Sequence, residues 1–383
     1  MVKNKKGIGK SILIFILLGI LILTGTISYI IYYSINNKNN LSKIQHDGNI
    51  KKDNTQNKKD DSIKKDMLSE VLLSFAGDCT IATDPSFAYE NSIVHIYNKN
   101  GKDPSYFFKN VADIFKKDDL TIVNLENNFT ESKDKANKQF TFKAPKSYAK
   151  SLPAGYIEGV NIGNNHIYDY KQIGFEDTIN TLKENNINYF GEGFKWIKEI
   201  KGVKLGFLGY RGYNDYPQFR TQIENEIKEL KDNGCNAILV NFHWGIESQY
   251  YPIETQKNLA HYAIDKGADL IIGHHPHVLQ SIEKYKNAII CYSLGNFCFG
   301  GNFNPKDKDT MIFQIKYNFK NKEIENYDVK IIPCRISSVN YINDYCPTPL
   351  QGNEKDRVLN KIKNLSPKAG FEISDKFYKI NIK

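Results

Sequence analysis

Three of the chain's eight histidines fall within five residues, Gly273-His274-His275-Pro276-His277, directly after the apolar run Ala268-Asp269-Leu270-Ile271-Ile272. An imidazole shut away from water needs partners for two ring nitrogens, and three rings at the end of one buried strand multiply that demand. A metal ion meets it. Other apolar runs end in a similar way, in Gly77-Asp78, in Asn124-Leu125-Glu126, in Asn164-Asn165-His166 with Asp169, and in His243-Trp244-Gly245 with Glu247. Taken singly, an Asp after a strand caps a helix and an Asn-Asn-His makes a turn. Together they supply carboxylates, a carboxamide and imidazoles, an oxygen and nitrogen set that suits Mn, Fe or Zn better than Ca or thiolate chemistry. His46, His95 and His261 lie in other segments and read as surface or satisfied rings.

The elements that must position these residues are short runs rich in Val, Ile and Phe. Val71–Ala76, Leu120–Val123, Val160–Ile162, Leu205–Leu208, Ala237–Val240 and Leu270–Ile272 suit buried strands. Amphipathic segments lie between them. Phe175, Ile179 and Leu182 share one helix face, as do Leu259, Tyr262 and Ala263. Strands alternating with helices predict an α/β domain, whose sites gather at the carboxyl ends of the strands. Thr310–Tyr317 and Tyr327–Ile332 read as antiparallel strands joined through Asn321-Lys322 and completing a second sheet. The expected domain runs from Met67 to Pro349, followed by a tail with one helical stretch near Arg357 to Lys363.

Ser11 to Ile35 carries no charge over 25 residues, enough to cross a hydrocarbon core as a helix. Lys3, Lys5, Lys6 and Lys10 precede it, which places the body of the protein outside the cytoplasm. Residues 36–66 are polar and read as a flexible tether. The net charge of +9 comes from lysines strewn along the tether and the solvated faces, not from an Arg-rich or aromatic-interleaved patch, so no nucleic-acid partner is expected. Attraction to anionic polymers is the sharper reading of that charge. Six cysteines show neither CxxC nor framework spacing and read mostly as buried thiols, with Cys334 and Cys346 the first pair to test for a disulfide.

The ordered set Phe75-Ala76-Gly77-Asp78, Asn124-Leu125-Glu126, Phe142-Lys143-Ala144-Pro145, Asn164-Asn165-His166-Ile167-Tyr168-Asp169-Tyr170, His243-Trp244-Gly245-Ile246-Glu247, Gly273-His274-His275-Pro276-His277 and Tyr292-Ser293-Leu294-Gly295-Asn296-Phe297 resembles the CapA family of poly-gamma-glutamate capsule biosynthesis proteins. That family is in turn similar to the calcineurin-like metallophosphoesterases. The resemblance implies a four-layer αββα sandwich preceded by one transmembrane helix, with one or two divalent ions. Asp78 would ligate the first ion, Glu126 would bridge both, and Asn165 and His243 would bind the second. His275 and His277 would form a closing pair, one imidazole to each ion, with His274 able to substitute in a shifted register. His166 would donate a proton, oriented by Asp169, while Lys143, Ser293 and Asn296 would hold an anionic substrate.

Two positions depart from the metallophosphoesterase pattern. Thr80 stands where its opening Asp-x-His has an imidazole, and Glu126 replaces a bridging Asp. The implied function is capsule production at the membrane, as a hydrolase of a phosphoester or amide, or as a polymer-binding assembly subunit of a membrane synthase. Arg211 reads as an exposed cation, and Trp244 and Phe297 as packing for the site.

Overall fold

The computed structural model describes residues 44–47 and 66–382. The expected membrane span at 11–35, the basic segment before it and most of the tether lie outside the described residues. Among the described residues no helix is long and apolar enough to cross a membrane.

Two large mixed sheets make the frame. The first runs β1 (Ile44–Asp47), β8 (Lys195–Ile200), β9 (Val203–Arg211), β10 (Ala237–His243), β11 (Leu270–His274), β13 (Ala288–Cys291), β12 (Ile282–Tyr285). The second runs β17 (Thr348–Pro349), β16 (Glu323–Arg335), β15 (Asp309–Lys320), β2 (Leu68–Thr80), β3 (Leu120–Leu125), β6 (Gly159–Asn161), β7 (Asn188–Phe190). Beside this run, β14 (Asn296–Phe299) pairs with β2 and β18 (Tyr378–Asn381) with β16, while β4 (Asn128–Phe129) and β5 (Lys143–Ala144) pair separately. Strands β9, β10, β11 and β13 are parallel, as are β2, β3, β6 and β7. All six runs expected to be strands are strands. The pair β15 and β16 is antiparallel, and its turn residues Asn321 and Lys322 have φ of 53° and 71°, the left-handed pair of a tight hairpin.

One apolar core is shared by the two sheets. Val71, Leu73 and Phe75 of β2 alternate along their strand, as period two requires, and cluster with Leu205 and Phe207 of β9, Leu239 of β10 and Leu270 and Ile272 of β11. Each such side chain, fully buried, contributes about 1.5–3 kcal/mol. Further along β2, Ala76 and Cys79 join a second cluster with Phe107, Phe108, Phe115 and the face Phe175, Ile179 and Leu182. That face belongs to α4 (Lys171–Glu184), which follows α1 (Ile93–Lys99), α2 (Ala112–Phe115) and α3 (Ser151–Ala154).

Helices α5 (Pro217–Asp232) and α6 (Glu254–Lys266) pack on β10 and β11. On α6 the buried face is Leu259, Ala260, Ala263 and Ile264. Tyr262 departs from expectation because its hydroxyl reaches Glu224 and Lys266 lies over its ring, which keeps it at the surface. The tail forms α7 (Gly352–Leu365). All six cysteines are free. Cys334 and Cys346 each donate a thiol hydrogen bond to a backbone carbonyl, of Ile332 and Tyr106 respectively.

Candidate metal centre

Strand register brings the polar motifs to one line. Asp78 on β2 stands opposite Asn124 on β3, Asn124 opposite Asn161 on β6, and Asn296 on β14 opposite Asp78. In the other sheet His243 ends β10 opposite His274, which ends β11. Close approach of the chain is required at Gly77, where a Cβ would sit 1.9 Å from the carbonyl oxygen of Gly295. That same oxygen accepts a hydrogen bond from the Asp78 N–H at 2.9 Å. Beyond β11 the chain turns sharply, with His275 at φ 98° and His277 at φ 57°. Non-glycine residues rarely hold such angles outside sites that impose them.

Asp78 is the hub. Its Oδ1 accepts from Asn124 Nδ2 at 2.8 Å and lies 3.5 Å from His274 Nδ1. Its Oδ2 accepts from the His275 N–H at 3.2 Å and lies 3.2 Å from His277 Nδ1. Burial alone would raise this carboxyl. The hydrogen bond from His277 and the positive charge of that ring override it and hold Asp78 well below the usual carboxylate range. Glu126 goes the other way, pushed up to about 8 by burial and then by the charge of Asp78. Burial opposes charge on His277, yet Glu126 and Asp78 raise it to about 9. Burial lowers His243 to about 3, His274 to about 4 and His275 to about 2, so these rings are neutral with a lone pair to offer.

The donors that find no partner are the informative ones. Both carboxylate oxygens of Glu126, Nε2 of His243, Nδ1 of His274 and of His275, and Oδ1 of Asn165 are buried without a hydrogen bond among the described residues. Buried polar atoms left this way cost about 1–3 kcal/mol each, and a cation would satisfy several of them at once. One ligand atom each from Glu126, His275 and His277 lies within 4.8 Å of the others. Glu126 Oε1 is 3.3 Å from His243 Nε2, and the His243 and His275 ring centres are 4.7 Å apart. The donor set therefore suits a divalent ion, held by carboxylate oxygen and imidazole nitrogen. Asn296 Oδ1 takes His277 Nδ1 at 2.9 Å, which leaves Nε2 as the nitrogen that ring could offer a cation.

Beside this cluster His166 Nδ1 meets Asp169 Oδ2 at 2.6 Å, and its Nε2 lies 3.9 Å from Glu126 Oε1. Asp169 is fully buried and is held further by the Phe142 N–H at 2.7 Å and by Lys138 Nζ at 2.5 Å. Phe142 also covers the imidazole, ring centres 4.5 Å apart. His166, His277, Asn296 and Glu247 line one cavity of about 1400 Å³.

Of the residues expected to act here, Asp78, Glu126, His166, Asp169, His243, His275, His277 and Asn296 come together; Asn165, next to His166 in the chain, has its carboxamide oxygen buried with no hydrogen bond among the described residues. His274 joins them through Asp78 while its Nε2 lies 3.2 Å from Asn241 Oδ1. Lys143 does not reach the cavity wall: its Nζ donates to the Ser132 carbonyl at 2.5 Å and lies over the Tyr170 ring. Ser293 is fully buried, and its Oγ accepts from the Gly295 N–H at 3.2 Å. Arg211 is exposed and pairs with Glu192 at 2.8 Å. Trp244 packs flat on Phe242 and donates to the Tyr292 carbonyl.

Three residues given no role of their own in the sequence analysis also belong. Asn124 ties Asp78 to His243, whose Nδ1 lies 3.3 Å away. Lys138 neutralises Asp169. Tyr213 stands edge-on to His243 and His275, its hydroxyl buried and unpartnered. Asn124 lies inside a quoted motif, so its place opposite Asp78 was available as a signal; Lys138 and Tyr213 lie in polar loops with none.

A family model described as bacterial capsule synthesis protein PGA_cap matches residues 72–301. The chain is 32% identical over 248 residues to "Capsule biosynthesis protein CapA" of Bacillus anthracis, covering 58% of this chain and 60% of that protein's length. It is 28% identical over 291 residues to "PGA biosynthesis protein CapA" of Bacillus subtilis, covering 69% and 72% respectively. Among solved structures, a phosphatase from Mycoplasma pneumoniae aligns at 15% identity and TM-score 0.44 over 70% of this chain and 95% of that one. A hypothetical protein from Thermus thermophilus aligns at 17% identity and TM-score 0.42 over 69% of this chain and 99% of that one.

Proposed function

The chain belongs to the bacterial capsule synthesis protein family PGA_cap, and from that membership we propose that it serves production of an anionic capsule polymer of poly-gamma-glutamate type as a metal-dependent hydrolase of a phosphoester or amide. The frame proposed for it is the four-layer sandwich of the metallophosphoesterases. The observation that carries the reading is the set of buried, unpartnered donors on Glu126, Asn165, His243, His274 and His275. Asp78, Glu126, Asn165, His243, His275 and His277 would hold one or two divalent ions, Mn, Fe or Zn by donor type. A bound ion would supply Lewis acidity, polarising a phosphoryl or acyl oxygen and activating water.

The chain's own residues do the rest. Asp169 and Lys138 fix the His166 ring so that Nε2 faces Glu126 and can hand a proton to the leaving atom. Phe142 covers one ring face and sets the dry side of the site. Asn296 orients His277. The uncharged stretch 11–35, with its preceding lysines, supports anchoring in the membrane with the domain outside the cytoplasm.

A second reading makes the chain a polymer-binding assembly subunit of a membrane synthase. Thr80 favours it, since a hydroxyl that is buried and unpartnered stands where the metallophosphoesterase pattern has an imidazole. Metal analysis of the full-length chain, with turnover of a simple phosphodiester and of a γ-glutamyl amide, decides between them. Stoichiometric metal and turnover lost in His166→Ala would establish the hydrolase; metal-free protein without turnover would leave the assembly subunit.

A further inference from the structure

We propose that the cavity leading away from His166 and His277 carries a separate anion-binding subsite, formed by Lys306, Lys308 and Arg335, that holds acidic groups of an extended polyanion. The inference rests on the proposed function only for what happens at the metal end. A volume of about 1400 Å³ exceeds the roughly 300–1,000 Å³ usual for a small-molecule site, so the space suits a ligand that continues past the metal donors. Away from those donors the wall is built by residues 302, 303 and 305–309, by Arg335 at the end of β16, and by Glu354, Arg357 and Lys361 of α7.

Charge pairing sorts these cations into two groups. Arg357 forks onto both oxygens of Asp309 at 2.9 and 2.7 Å and reaches Glu354 at 3.0 Å. Lys361 meets Asp307 at 2.6 Å and Asp309 at 2.8 Å. These two are neutralised by the wall itself. Arg335 is different: it is half-buried, and Nε and Nη2 donate to the carbonyl oxygens of Ser337 and Ser338 at 3.0 and 3.1 Å. No carboxylate among the described residues pairs with it. Lys308 Nζ reaches only the Asn340 carbonyl, at 3.4 Å, and exposed Lys306 has no partner among the described residues.

Three cations with no ion-pair partner among the described residues therefore line one cavity, whose wall also carries Glu90 and Glu247. The carbonyls hold the Arg335 fork in place before any ligand arrives, which reduces the ordering cost of binding. Phe140 and Phe303, 40% and 59% exposed, add apolar surface to the same wall for the stem between acidic groups. The ligand chemistry is a chain bearing carboxylates or phosphates in series.

Fluorescence anisotropy of the full-length chain, with EDTA present, reads binding of a labelled γ-linked oligoglutamate and, in a second arm, of polyphosphate of equal charge. Lys306→Ala with Lys308→Ala, and separately Arg335→Gln, should weaken the preferred probe about tenfold or more. Lys228→Ala, on the outer helix α5, should change nothing. The lysine pair is exposed or half-exposed and keeps the test informative if Arg335→Gln disturbs the following loop. Preference for oligoglutamate assigns the subsite to carboxylates, and preference for polyphosphate assigns it to phosphates. Failure of both probes to bind, or equal affinity in wild type and both variants, overturns it. Binding is read without metal or turnover, so an inactive, metal-free protein would sink the hydrolase reading and leave this subsite standing.

Discussion

Lys138 Nζ lies 2.5 Å from Asp169 Oδ1, while the other oxygen of that fully buried carboxylate takes His166 Nδ1 at 2.6 Å. A cation from an exposed loop thus balances the charge that orients the histidine. Removing it leaves Asp169 buried with less compensation and frees His166 to turn. Lys138→Met should lower turnover of a phosphodiester about 10- to 100-fold, the range for losing a group that orients a site residue. Lys138→Arg should recover much of it. A melting temperature that drops while turnover per folded molecule stays constant would show Lys138 to be structural only.

Chelation should destabilise the protein. An ion present at 100 times its Kd adds about 2.7 kcal/mol to the folded state, on the order of 5 °C in Tm at this size. Wild-type protein should lose that increment on dialysis against EDTA. His275→Ala removes one of the three donors that converge within 4.8 Å and should melt at the same temperature with or without EDTA. An identical EDTA response in both proteins would rule out His275 as a ligand.

Buried parallel strands read as continuous apolar runs, so β2, β3, β6, β9, β10 and β11 were visible in the sequence, and the polar residues at their ends were visible with them. Direction was harder to read. Phe142 and Lys143 are neighbours in one motif, yet successive side chains on an extended segment point to opposite sides. Phe142 therefore packs on His166 while Lys143 turns to Ser132 and Tyr170. Lys138 and Tyr213 could not be found at all, because nothing local distinguishes a loop residue whose role is set by where distant strands bring it. Orphaned donors such as Glu126 are likewise a property of packing, absent from any pattern of residue types.

Gly273 is a second place where the backbone leaves no room. A Cβ there would sit 2.0 Å from the Tyr292 carbonyl oxygen and 2.6 Å from Trp244 Nε1, the two atoms that share a 2.9 Å hydrogen bond. Neither can give way cheaply, since one is backbone and the other belongs to a fully buried ring. Gly273→Ala should cost about 2–4 kcal/mol, read as a lower urea midpoint with unchanged slope. Because the next residue begins the histidine turn, metal content should fall as well. A midpoint within experimental error of wild type would contradict the packing argument.

Far from the metal end, at the start of β3, Glu158 and Asp118 both bind Thr121, at 2.8 Å to its N–H and 2.8 Å to its hydroxyl respectively. Burial, and for Glu158 the charge of Asp118 as well, raises Glu158 to about 7 and Asp118 to about 6. Between the ordinary glutamate value near 4.5 and about 7, the native state holds a proton that the unfolded state has lost. Stability from this group is therefore complete below 4.5 and declines as pH rises through 7. Glu158→Gln keeps an oxygen for the Thr121 N–H and removes the titration, so its stability should change less across that window and exceed wild type at pH 8 by about 2 kcal/mol. Urea unfolding of both proteins from pH 5 to 8 measures the difference, and parallel curves would show that Glu158 does not titrate in this range.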